Sequence, residues 1–181
     1  MDTEWRLLSR RFVAAEPPSA RMLRFGAGAR SELQCSLVSP EFQTGWTTTR
    51  LRVRYSETDQ MGIVYYANFL VWFEIGRTDL CRQHGFAYRD MEQEDGLYIM
   101  VAEARCRYKA PARYDEELLV RTRLRAARKR VLVFAYEVYR ESDSTMLAEG
   151  ETVHVITDRE GHPRALPDRY RELFLAGAKT F

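Results

Sequence analysis

The order of secondary-structure signals in this chain predicts an α+β fold in which one long helix lies across an antiparallel sheet. Three observations carry that expectation. A short run with the two-residue period of a strand is followed by a single long apolar helix, and then by four strand-like stretches in succession with no helix between them. Strands that follow one another without intervening helices pair antiparallel. A helix with one strand before it and four after it can bury its apolar surface only against their sheet.

Residues 1–46 carry Pro17-Pro18, scattered Ser and Gly, and the arginines Arg6, Arg10, Arg11, Arg21, Arg24 and Arg30. They lack the apolar centre of a secretory signal, and Asp2, Glu4 and Glu16 do not suit an acid-poor transit peptide. A disordered extension, or a start codon assigned too far upstream, is expected there, followed by one domain over residues 47–170 and a tail over 171–181. Leu51, Val53 and Tyr55 alternate with Arg52 and Arg54, the period of a strand with one buried face. After a loop around Asp59, the stretch from Tyr65 to His84 spreads Phe69, Leu70, Val71, Trp72, Phe73, Ile75 and Leu80 over most of a helix's circumference, with Gly85 as its C-terminal stop. Such a helix, about 20 residues and roughly 30 Å long, is expected to be largely buried. The later strands are Ile99 to Lys109, Glu117 to Ala126, Arg130 to Arg140 and Leu147 to Thr157, with turn material at Pro111, Asp115 and Glu141-Ser142-Asp143-Ser144 between them.

With 181 residues and 45% apolar content the chain has material for one core and little room for a second full domain. A net charge of +2, from 28 basic and 26 acidic residues, gives no bulk attraction to nucleic acid. No stretch approaches the roughly 20 apolar residues of a membrane-spanning helix, so a soluble, cytoplasmic protein with neither nucleic acid nor membrane as partner is expected. Cys35, Cys81 and Cys106 contain no Cys-x-x-Cys pair and signal neither a disulfide framework nor a thiolate metal site. His84, His154 and His162 lack metal-ligand spacing, and no Gly-x-Ser-x-Gly elbow supports a Ser-His-Asp hydrolase.

The chemistry concentrates in Tyr55-Ser56-Glu57-Thr58-Asp59-Gln60-Met61-Gly62-Ile63-Val64-Tyr65-Tyr66-Ala67-Asn68-Phe69, which sets a carboxylate in the loop between the first strand and the helix start. A helix start offers unpaired backbone N–H groups and partial positive charge. A carbonyl oxygen docked there is polarised while Asp59 attacks it or activates water, which is the requirement of acyl transfer. Taken without its surroundings, Asp59 reads first as a turn or helix-capping residue.

This segment resembles the hotdog-fold acyl-CoA thioesterases of the 4-hydroxybenzoyl-CoA type, and the likeness runs from about Thr49 to Pro167. The motif is an aromatic residue, Thr-Asp, Gly three residues after the Asp, Val-Tyr, and an Asn opening a Trp-Phe-Glu helix. The resemblance implies an antiparallel five-stranded sheet wrapped around a long central helix. It makes Asp59 the nucleophile or general base, and the backbone N–H of Tyr66 the holder of the thioester oxygen. Gly62 stands where a side chain could block the acyl group, though a turn glycine of positive φ explains it as well. Arg128, Lys129 and Arg130 match a run that contacts CoA phosphates in that branch; Arg125 joins them in a basic cluster that otherwise reads as solvated turn charge. The branch associated with the Tol-Pal system commonly carries His at the position of Tyr66, yet the Phe73-Glu74-x-x-Arg77 helix resembles that branch, so the acyl group transfers from neither. Tyr55 matches a tyrosine of the Tol-Pal branch, and a buried strand tyrosine is an equal reading.

Glu74 stands on the element that supplies a catalytic glutamate in other hotdog thioesterases, but an i, i+3 ion pair with Arg77 is the simpler expectation. The expected activity is hydrolysis of acyl-CoA to free acid and CoA, with no metal or other cofactor, in a homodimer or homotetramer whose acyl group enters between subunits. The alternative is a non-catalytic acyl-CoA-binding hotdog module. A hotdog dehydratase would need a loop histidine, and no His precedes Glu74.

Overall fold

The computed structural model describes residues 45–177. The expectation for residues 1–46 therefore lies outside the described residues, apart from Gly45 and Trp46. Strand β1 (Thr47–Arg52) leads through a one-turn 3-10 helix (Tyr55–Glu57) and the Asp59 loop into α1 (Asn68–Gln83) and a short α2 (Tyr88–Asp95). Strands β2 (Tyr98–Tyr108), β3 (Glu117–Ala127), β4 (Val131–Arg140) and β5 (Met146–Thr157) follow, and α3 (Asp168–Gly177) closes the described chain. The five strands form one sheet in the order β1-β3-β4-β5-β2, and every neighbouring pair is antiparallel. This is the architecture the sequence predicts.

The register explains how α1 seats itself. Thr47, Thr122, Tyr136, Gly150 and Cys106 form one row across all five strands. Phe73 stacks on Tyr136 with ring centroids 4.3 Å apart, and its ring lies where a Cβ on Gly150 would stand. One turn on, Gly76 brings the helix backbone against Thr122 and Val120. The helix buries Phe69, Trp72, Phe73, Gly76, Arg77, Leu80 and Cys81, an i, i+3, i+4, i+7 stripe, on Leu118, Val120, Leu124, Phe134 and Val138 of the sheet. It ends where Gly85, at φ +89°, lets the Phe86 N–H reach back to the Cys81 carbonyl (3.1 Å).

Four expectations change. The first strand ends at Arg52 and Tyr55 is 78% exposed in the 3-10 turn, because the Arg54 N–H is captured by the Glu57 carboxylate (2.7 Å) and the chain turns away. The helix begins at Asn68 and is buried on one stripe only; Leu70 and Val71 are 40% and 45% exposed, since a single layer lies beneath it. Residues 88–95 are helical, a segment too short and charged to announce itself, with Met91 its buried contact. The stretch expected to be a tail is helical through Gly177, and Phe174 is buried against Phe86 and Phe134, so the core runs past residue 170. No helix among the described residues is long and apolar enough to cross a membrane.

Candidate active site

The Asp59 loop is a miniature hairpin. Thr58 bridges Val64, the Asp59 N–H donates to the Ile63 carbonyl (2.9 Å), and the Gly62 N–H returns to the Asp59 carbonyl (3.0 Å). Gly62 sits at φ +70°, a conformation that favours glycine, and no atom lies within 4 Å of the place a Cβ would occupy. The turn reading therefore accounts for it, and the space beside it is open. Asp59 is partly buried; one carboxylate oxygen accepts the Met61 N–H (2.8 Å), and the other has no donor among the described residues.

Across the loop, the Tyr65 N–H donates to the Glu57 carbonyl (2.9 Å), whereas the next amide, that of Tyr66, has no acceptor among the described residues. Ala67 provides no side-chain cap and the first turn of α1 carries no acid, so nothing on the helix itself neutralises its positive end. The Tyr66 carbonyl is held by the Tyr108 hydroxyl (3.1 Å), and the rings of Tyr65, Tyr66 and Tyr108 form a partly exposed aromatic wall. One unengaged carboxylate oxygen and one unengaged amide thus flank a single short loop.

Glu57 is the residue the sequence reading missed. It is only 4% exposed, and its carboxylate accepts from the Arg54 N–H (2.7 Å), the Arg54 guanidinium (3.0 Å) and the Trp72 indole (3.1 Å). Burial alone would raise its pKa, but these bonds together hold it below the ordinary glutamate value. Its carbonyl also accepts the Asn68 side-chain amide (2.8 Å), so one residue ties the strand end, the loop and the first helical turns together. The sequence signal was a Glu three residues after Arg54, the capping-box spacing of a one-turn helix.

Glu74 faces outward and accepts the Thr78 hydroxyl (2.8 Å). The expected pair with Arg77 is not formed, because Arg77 lies on the buried stripe, with its guanidinium 3.4 Å from the Tyr136 hydroxyl and over the Tyr88 ring. No histidine hydrogen-bonds to Asp59. His154 is buried beside Thr152, and burial together with the Arg77 charge pushes its pKa down to about 3. Among the described residues one group has metal-ligand proximity, Asp158, Glu160 and His162 in the turn after β5. There Asp158 is already engaged by the His162 N–H (2.8 Å) and by Arg164.

Arg128, Lys129 and Arg130 are exposed in the β3–β4 turn. Arg125 does not join them; it lies on the outer face of the sheet, paired with Glu151. The structure also separates this turn from Asp59. The Val53 and Val64 amides bond to Glu116 and Ala112, at the start of β3, whereas the basic turn follows its far end. Eleven extended residues span about 36 Å, so one chain does not bring the two halves together.

A helix laid across a five-stranded antiparallel sheet, with an aspartate loop opening onto its start, defines the hotdog class. The chain belongs to the Thioesterase-like superfamily, whose family model matches residues 53–174. It is 37% identical over 124 residues to the putative acyl-CoA thioesterase YneP of Bacillus subtilis, covering 68% of this chain and 86% of that protein. It is 34% identical over 118 residues to the acyl-CoA thioester hydrolase YbgC of Escherichia coli O6:H1, covering 65% and 87%. Among solved structures, a DHNA-CoA thioesterase from Staphylococcus aureus superposes with a TM-score of 0.68 at 28% identity, covering 71% of this chain and 88% of that one.

Proposed function

We propose that this protein hydrolyses acyl-CoA to a free acid and CoA, with Asp59 as nucleophile or general base and the Tyr66 N–H holding the carbonyl oxygen. The reading is carried by the pairing of the unengaged Asp59 oxygen with the unengaged Tyr66 amide. It is supported by relatives that are themselves named acyl-CoA thioesterases. An amide aimed at a developing oxyanion is typically worth about 3 kcal/mol of barrier. In one route Asp59 attacks the thioester carbon, the C–S bond breaks to release CoA thiolate, and water hydrolyses the resulting anhydride. In the other Asp59 takes a proton from the water that attacks. Thiolate is a good leaving group, so neither route needs a dedicated acid at sulfur.

The working unit in this reading is a homodimer, or a tetramer of two dimers, in the cytoplasm. β2 is an edge strand whose outer edge has no partner among the described residues, and Met100 and Val101 on it are 52% and 56% exposed. An unpaired edge strand of eleven residues with Met100 and Val101 exposed on it invites a partner strand. A second copy would also bring one protomer's basic turn toward the other's Asp59 loop, which a single chain keeps apart. Arg128, Lys129 and Arg130 then serve the CoA phosphates.

The test is thiol release from short aliphatic, long aliphatic and aromatic acyl-CoAs by the purified protein. Release from at least one class supports the reading, and tight binding without release points to a non-catalytic acyl-CoA-binding module. Single turnover in isotopically labelled water separates the routes, since label entering the Asp59 carboxylate marks the anhydride.

A further inference from the structure

Two peptide planes meet at Tyr66, and they are held by different means. The Tyr65 carbonyl shares a rigid trans plane with the Tyr66 N–H and points the opposite way. That carbonyl accepts the Asn68 N–H (3.0 Å), which turns the Tyr66 N–H outward from the helix start. The following plane carries the Tyr66 carbonyl, whose bond within the helix start, from the Phe69 N–H, is longer (3.3 Å). A carbonyl oxygen can accept twice, and the second bond comes from the sheet, where the Tyr108 hydroxyl donates to the same oxygen (3.1 Å).

Tyr108 is itself firmly anchored. It closes β2, where it pairs with Ala148 of β5, and the next N–H, that of Lys109, donates to the Leu147 carbonyl (2.8 Å). Its ring meets Phe69 and Tyr66 edge-on, with centroids 5.2 and 6.5 Å away. Partial burial raises its pKa, and Cys106 and Tyr66 beside it act in the same direction, so the phenol stays protonated and remains a donor. Ala67 has no side-chain cap to offer, and the Asn68 side chain is turned back to the Glu57 carbonyl (2.8 Å). Among the described residues, Tyr108 thus supplies the one side-chain hydrogen bond to the two planes that meet at Tyr66.

Resting on the acyl-CoA reading, we propose that Tyr108 is a positioning residue for the hydrolysis, acting through Tyr66. Pinning the second plane while Asn68 pins the first fixes both backbone dihedrals of Tyr66, so its N–H cannot swing as charge gathers on the thioester oxygen. Tyr108 makes no bond to Asp59, and no covalent step is assigned to it. A donor stabilises an oxyanion most when it is already aimed and need not turn to meet the charge. Loosening the plane is therefore felt in kcat rather than in substrate binding.

The test is Tyr108→Phe, which removes the hydroxyl and keeps the ring on Phe69, assayed with the acyl-CoA that the native protein turns over fastest. Deleting an oxyanion donor outright costs about 10²–10³-fold in kcat, and loosening one is expected to cost about tenfold. KM is expected to stay within about twofold of native, the pattern of an interaction made in the transition state alone. Tyr139→Phe, which loses a hydroxyl bonded to Glu137 (3.1 Å), is expected to keep the native kcat. The second readout is the infrared band of the isotopically labelled thioester carbonyl of the same acyl-CoA bound to Asp59→Asn. That band is expected at lower frequency than in water, and to move back toward the water value when Tyr108→Phe is added to Asp59→Asn. A smaller folded fraction would not move the band, so it separates positioning from a purely structural role. Native kcat in Tyr108→Phe, a raised KM with kcat unchanged, or an unmoved band overturns the assignment, and thiol release by the native protein beside any of these leaves the hydrolase reading standing. No thiol release from any acyl-CoA by the native protein removes that reading and the positioning role with it.

Discussion

Replacing Glu57 by Gln separates the architecture of the Asp59 loop from its chemistry. The carboxylate accepts three hydrogen bonds, two from Arg54 and one from the Trp72 indole. The amide of Gln has one accepting oxygen, so its NH2 must face a donor, either the Arg54 N–H or the indole. Hydrogen bonds to charged groups contribute about 1.5–3 kcal/mol, and a donor stranded in a buried site costs about 1–3 kcal/mol. The contact with the Arg54 guanidinium adds little, because that side chain is 70% exposed. A loss of about 3 kcal/mol is expected, or roughly 6–12 °C in melting temperature for a chain of this size. The protein should still fold, since domains hold about 5–15 kcal/mol in reserve. The pH dependence follows from the direction of the shift. A pKa held below the ordinary value, about 4.3 for Glu, makes the ionised carboxylate stabilising above that pH, and the contribution is lost as the pH falls through the folded-state pKa. The melting gap between the native protein and Glu57→Gln should be full at pH 7.5 and shrink as the pH is lowered from 5 to 3. The native kcat should fall in the variant as well, because the Glu57 carbonyl positions Tyr65 and Asn68, and displacements near 1 Å cost about 10²-fold. Calorimetric melts across pH at one protein concentration, with thiol release as the second readout, provide the check. An unchanged melting temperature at pH 7.5, or a gap that stays constant as the pH falls, refutes the reasoning.

Gly150→Ala places a methyl 2.4 Å from the Phe73 ring and 2.6 Å from the Arg105 carbonyl, so the helix must lift from the sheet. A destabilisation of at least about 1–3 kcal/mol is expected in a melt. Val101→Lys puts a charge on the exposed edge of β2 and is expected to shift sedimentation from the assembled form toward the monomer, with thiol release falling in parallel. An unchanged sedimentation profile removes β2 from the interface.

Strong periodicity made much of this architecture legible. The four later strands lie within one residue of their expected ends because fully buried residues alternate with half-exposed ones, Leu118, Val120, Thr122 and Leu124 between mostly charged neighbours on β3, and Leu132, Phe134, Tyr136 and Val138 between Val, Ala, Glu and Tyr on β4. The aspartate loop was legible through the family resemblance, in which Asp59, Gly62 and Tyr66 stand in a characteristic order, whereas the helix begins at Asn68, three residues past its expected start. What stayed hidden depended on direction rather than spacing. Arg77 reads as a surface partner of Glu74 until the register puts it under Tyr136. Glu57 carries no sequence signal of burial, since the indole that bonds it belongs to Trp72, fifteen residues away. Helix α3 holds Tyr170 and Phe174 at i, i+4, a pattern too short to stand out, and its packing extends the fold. The separation of the basic turn from Asp59 is a property of strand direction, which composition cannot convey.

The most direct measurement compares thiol release and acyl-CoA binding in the native protein and in Asp59→Asn. The substitution keeps the oxygen that accepts the Met61 N–H and removes the charge that attacks the thioester or draws a proton from water. The account predicts that turnover falls by at least about 10²-fold while acyl-CoA is still bound. Turnover at the native rate in Asp59→Asn, with loss instead in Glu74→Gln, contradicts it.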